Sequence, residues 1–207
     1  METKRIDWID TAKGIGIICV MIAHIDFGII EKWINSFHMP LFFFLSGYLF
    51  SGKRSTSAFL KRKLRTELLP YFALGFPMLL FDFAFMKYTK GYGPYYLKVQ
   101  TLNFFVQRRY STFWFLACLL CLNILFYATY KLLKKDKYLV ICAVLFPILG
   151  FAFYLLGGKS LPWNMDVCFT AYPFYCMGYL YKKNQDSFHE KVSRFTKTRG
   201  RAFLTAI

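Results

Sequence analysis

A bundle of membrane-spanning α-helices is the fold this sequence predicts, and three observations predict it. The first is composition: 207 residues, 57% hydrophobic and 21% aromatic, with a mean hydropathy of +0.35. A water-soluble domain of this size has no core large enough for 25 phenylalanines and 15 tyrosines. The second is segmentation: apolar runs of about 20 residues, the length that crosses a hydrocarbon layer, recur between short polar links. The third is charge. The net charge of +16 is collected in those links and does not form one basic face. That placement argues against a nucleic-acid partner and for membrane lipids as the surroundings.

The expected architecture is therefore all-α, a polytopic bundle of about six spanning helices plus the start of a seventh, forming one integral-membrane domain over residues 1–207. The first helix is expected from Trp8 to Phe27, and a link from Gly28 to Asn35 follows it. The second runs from Ser36 to Ser51, with Met39-Pro40 near its start, where proline is tolerated. The link Gly52 to Thr66 holds Lys53, Arg54, Lys61, Arg62, Lys63 and Arg65. The third helix is Glu67 to Met86, with Pro70 in its first turn and Pro77 as a kink. The polar, aromatic segment from Lys87 to Ser111 fits the membrane interface. The fourth helix runs from Thr112 to Leu132, the fifth from Tyr138 to Leu156, and the sixth from Val167 to Tyr181. Gly157 to Pro162 is a turn. A basic stretch with Arg194, Lys197, Arg199 and Arg201 leads to Ala202–Ile207, where a further apolar segment begins.

Orientation follows from the basic residues. With the N-terminus inside, inner segments carry 20 of the 27 lysines and arginines, as the positive-inside rule requires. No cleavable signal peptide is expected, because the first apolar run contains Asp10 and Lys13 and lacks a small-residue cleavage site before His24. The six cysteines all fall in apolar runs and read as free buried thiols. Cys118 and Cys121 have zinc-like spacing but no second ligand pair, so no metal is expected.

The candidate site residues are ionisable groups placed where they are expensive. Asp10, Lys13 and His24 lie inside the first apolar run. Eleven residues separate Lys13 from His24, which is three helical turns plus about 20°, so a continuous helix puts them on one face about 16 Å apart. Asp10 falls within roughly 60° of both. An imidazole titrates near neutrality and suits proton transfer, whereas Lys13 read alone is a snorkelling side chain. His38 is expected near the outer end of the second helix, at the level of His24; it is a second candidate or a surface residue. Arg62 and Arg65 read either as a topology signal bound to lipid headgroups or as a clamp for a phosphorylated cytosolic ligand, because guanidinium forks match phosphate oxygens. Ser46-Gly47 provides a small surface for close helix approach.

Several strings together resemble the membrane-bound acyltransferase family 3. The resemblance is closest to its fucose 4-O-acetylase-like and surface-polysaccharide O-acyltransferase branch. They are Asp10-Thr11-Ala12-Lys13-Gly14 followed at ten positions' distance by His24, then Phe37-His38-Met39-Pro40-Leu41-Phe42-Phe43-Phe44-Leu45-Ser46-Gly47-Tyr48, Arg62-x-x-Arg65, and Trp114-Phe115-Leu116. The resemblance spans nearly the whole chain. It implies a multi-pass protein of the bacterial cytoplasmic membrane with acetyl-CoA or another acyl-CoA as donor and a sugar or polysaccharide as acceptor. It implies His24 as the catalytic residue, acting as base or as acyl carrier, with Lys13, Asp10, Arg62, Arg65 and His38 binding substrate. The family's membrane domain has about ten helices, so a chain with about six reads as an N-terminal portion of such an enzyme. Two other readings stand beside it: half of a transporter or flippase for a lipid-linked sugar, and an inactive truncated remnant.

Overall fold

The structure, a computed structural model, describes residues 6–25, 28–107 and 113–204, with side chains at all of these except 189 and 191–204. Expectations about Phe27, Ser111, Thr112, the side chains of Arg194, Lys197, Arg199 and Arg201, and residues 205–207 fall outside this range. Every element among the described residues is helical. They are α1 (Asp7–Ile22), α2 (Ile29–Tyr48), α3 (Thr56–Lys63), a π turn (Leu64–Leu68), α4 (Leu69–Lys90), α5 (Pro94–Val106), α6 (Trp114–Leu133), α7 (Asp136–Leu155), a 3-10 turn (Pro162–Asn164) and α8 (Met165–Leu204).

Three of these helices are long and apolar enough to cross a membrane: the continuous Thr56–Lys90, Trp114–Leu133 and Asp136–Leu155. That is half the expected six, and the reasons are local. The first helix stops at Ile22 instead of Phe27. Its 16 residues reach about 24 Å, short of a ~30 Å hydrocarbon core. The second begins at Ile29, so most of the expected link is helical and includes Glu31 and Lys32. Asn35 donates to Glu31 one turn earlier at 3.4 Å. Gly28, at the N-cap of α2, has a φ of +59° that only glycine adopts readily. Pro40 consequently lies mid-helix and not near a start.

The expected link Gly52–Thr66 is largely the helix α3, capped at Ser55 by a bond from the Ala58 N–H at 3.3 Å. It runs without a break into α4. The sixth expected helix, the basic stretch and the expected start of a seventh are one element, α8, continuous through 40 residues to Leu204. Its apolar half is rich in tyrosine, which lowers its hydropathy.

The chain divides into two compact units, residues 1–50 with 174–207 and residues 51–173. In the first unit, α1 and α2 run antiparallel. Ile9 packs on Leu45 and Tyr48, and Gly16 lies against Leu41 and Phe42. The backbones of α2 and the second part of α8 approach so closely that a Cβ at Gly47 would collide with the Tyr175 carbonyl, and one at Gly178 with the Phe44 carbonyl. This is the close approach that Ser46-Gly47 predicts. Tyr48 donates to Gln185 at 2.7 Å.

The second unit centres on Tyr71, Leu79, Phe104 and Ala117, with Phe113 and Trp163 packed around them. Tyr71 and Phe104 stack at 5.0 Å, and Gln107 donates to the Tyr71 hydroxyl at 2.9 Å. Tyr96 clips α5 to α4 by donating to Asp82 at 2.7 Å. The Cys118 and Cys168 sulfurs lie 3.7 Å apart as free thiols. Along α7 only Leu139 and Gly150 are buried, leaving an apolar exterior suited to lipid.

Candidate functional site

The sequence-predicted residues divide between the units: Asp10, Lys13, His24 and His38 belong to the first, Arg62 and Arg65 to the second. In α1, Lys13 and Asp10 approach to 4.0 Å, both half-exposed. His24 lies in the turn just past Ile22, where its N–H bonds the Met21 carbonyl at 3.2 Å in a tightened last turn. The regular screw that would hold Lys13 and His24 on one face therefore ends two residues short of the histidine.

The His24 ring folds back on its own helix, with Nδ1 at 2.8 Å from the Val20 carbonyl. A carbonyl only accepts, so Nδ1 carries the hydrogen and donates it. The neutral ring then has its basic lone pair on Nε2. The side chain is exposed. His38 makes the same contact with Ile34 at 2.8 Å but is buried, 3% exposed.

Arg62 lies in the last turn of α3 and Arg65 stands inside the π turn. Both side chains are exposed, and neither pairs with an acid among the described residues. Arg54 lies close by: burial and the Arg62 guanidinium lower its proton affinity below the ordinary arginine value. Beside them lies a largely buried polar cluster. Lys63 Nζ approaches Glu67 Oε1 at 2.7 Å. Asn123 of α6 donates to the two oxygens of Glu67 at 3.1 and 3.2 Å, and to the Leu119 carbonyl at 2.8 Å. Glu67 is 7% exposed and Asn123 wholly buried.

Sequence reasoning passed over this cluster. Asn123 is a single polar residue in an apolar run, and its partner is 56 positions away. The available signal was Lys63 and Glu67 at i,i+4, one turn before Pro70. Among the described residues no cluster of histidines, cysteines and acids is arranged to hold a metal ion.

The first unit thus carries an exposed imidazole with its basic nitrogen outward, and the second a pair of exposed guanidinium forks. Residues 6–207 match the model of a family described as an acyltransferase domain, acyltransferase family 3. No match was found among curated proteins or among solved structures. A match over nearly the full length, together with three helices apolar enough to span a bilayer, makes this chain a membrane protein of the acyltransferase 3 family.

Proposed function

We propose that the protein moves an acetyl or similar acyl group from acyl-CoA to a sugar hydroxyl of a cell-surface polysaccharide or glycolipid. The observation that carries this reading is the His24 imidazole, exposed and with Nδ1 committed to the Val20 carbonyl. A sugar hydroxyl is a weak nucleophile and needs a general base. Nε2 takes its proton as the oxygen attacks the thioester carbonyl. The tetrahedral adduct collapses, the C–S bond breaks, and the sulfur of CoA leaves with the proton that His24 returns. The products are an ester on the sugar and free CoA.

Arg62 and Arg65, exposed and without acid partners, suit the phosphates of the donor nucleotide. Lys13, held near Asp10, adds a positive charge to the helix that leads into the base. Counted over the six expected spans, the positive-inside rule favours a cytoplasmic N-terminus, with the arginine pair on the side where CoA is found.

The test is transfer by purified protein in lipid nanodiscs, supplied with acetyl-CoA and a set of methyl glycosides. Ester formation on a glycoside should match CoA release mole for mole. An intact thioester pool with every glycoside would refute the reading. Reporters fused after Lys135 and near Gly158 should read cytoplasmic and external, and the opposite result at both would remove the donor route.

A further inference from the structure

We propose that Glu67, with Lys63 and Asn123, is a positioning residue that locks the π turn Leu64–Leu68 and so sets the angle between Arg62 and Arg65 for two phosphate groups of one ligand. The proposal rests on the donor reading above. Its starting point is backbone geometry. Pro70 has no N–H, so the Thr66 carbonyl loses its α-helical partner, and the pyrrolidine ring crowds that same carbonyl. The chain responds by widening: the Leu69 N–H bonds the Leu64 carbonyl, five residues back. The Thr66 hydroxyl turns to the Arg62 carbonyl at 3.0 Å.

A π turn holds more residues per turn than an α-helix, so Arg65 swings away from the line it would share with Arg62. Such turns are rare, gather at functional sites, and persist only where surroundings hold them. Here the bracing is specific. Lys63 precedes the turn and Glu67 lies within it, and their ion pair spans it at 2.7 Å. Both N–H groups of the Asn123 amide are engaged, one shared by the Glu67 oxygens and the other on the Leu119 carbonyl. Glu67 is thereby fastened to the backbone of α6 one turn back.

The same contacts occupy the acid. Glu67 lies near enough to Arg62 for the two charges to act on each other, yet its oxygens are taken by Lys63 and Asn123. The guanidinium forks stay open for an outside anion. A hydrophobic pair would join α6 to this helix at no charge-burial cost, so helix packing alone does not account for a buried carboxylate at this turn.

The experiment compares binding of CoA and 3′-dephospho-CoA to the full chain, by calorimetry on monodisperse protein. The parent should prefer CoA by about tenfold, one charge-assisted bidentate contact. Arg62→Ala with Arg65→Ala should erase that preference. Glu67→Gln, which keeps shape but not charge, should reduce it to less than about threefold, the loss expected when a fork is misaimed. If Glu67→Gln does not fold, Asn123→Ser carries the same test, because it unhooks Glu67 without touching the helix that bears the arginines. A purely structural cluster would lower the yield of folded protein and leave the preference of what remains unchanged, and that result overturns the proposal. Parent protein that binds no CoA overturns the donor reading, and this proposal with it. A preference that depends on the arginines but not on Glu67 or Asn123 overturns this proposal alone.

Discussion

His24 and the arginine pair are held in opposite ways. His24 depends on one hydrogen bond to its own helix, four residues back, and stands exposed at the end of a 16-residue element. Arg62 and Arg65 stand on a distorted turn braced by a buried ion pair and by a second helix. A group held only locally can be removed without disturbing the fold, so its loss reports on chemistry. A group on a braced turn can be disabled without being touched, by loosening what lies beneath it. The two regions therefore respond differently to substitution.

The largest effect is expected at the locally held group. His24→Ala should lower acyl transfer per folded molecule by about 10²- to 10⁴-fold, the range for a general base. Thermal unfolding and CoA binding should stay at parent values, because only one bond to Val20 is lost. Turnover near the parent rate would pass the role to His38. A lower unfolding temperature with activity proportional to folded protein would mark His24 as structural and erase the contrast with the arginines.

Gly47→Val separates stability from chemistry in the first unit. The added side chain meets the Tyr175 carbonyl, which is backbone and cannot step aside. A loss of about 2–3 kcal/mol is expected from overpacking at such a contact. Chemical denaturation in detergent should read it. Parent-like stability would mean that this unit is not held by the approach of α2 to α8.

The smallest effect is expected at Lys13. Its contact with Asp10 is 4.0 Å long and both side chains are about 40% exposed. Lys13→Met should change stability by less than about 0.5 kcal/mol, as for other exposed pairs. A fall in donor affinity without a fall in stability would join Lys13 to the arginine region in function. A fall in stability would show α1 to be braced after all.

Much of the architecture was legible because it depends on short-range pattern. Apolar runs predicted α4, α6 and α7 closely, since a helix in lipid must satisfy its own backbone and needs a fixed length to cross. The α1–α2 turn and the start of α3 were misplaced because polar residues were read as link. Glu31, Lys32 and the 52–66 basic run are as compatible with an amphipathic helix as with a loop, and only neighbours decide. Asp10, Lys13, His24, His38, Arg62 and Arg65 could be singled out because charge in an apolar run is conspicuous at a single position.

By itself, then, the sequence determined the all-helical class, the long apolar spans, the small surface at Gly47 and the identity of the ionisable residues, all of which follow from side-chain chemistry within a few positions. Tertiary structure decided the rest. It joined Glu67 to Asn123 across 56 residues and brought the α2 backbone at Gly47 against Tyr175. Pro70 alone predicts only a disturbed helix. The buried amide of Asn123 on another helix holds the carboxylate within the π turn, and no local pattern encodes a contact between distant segments.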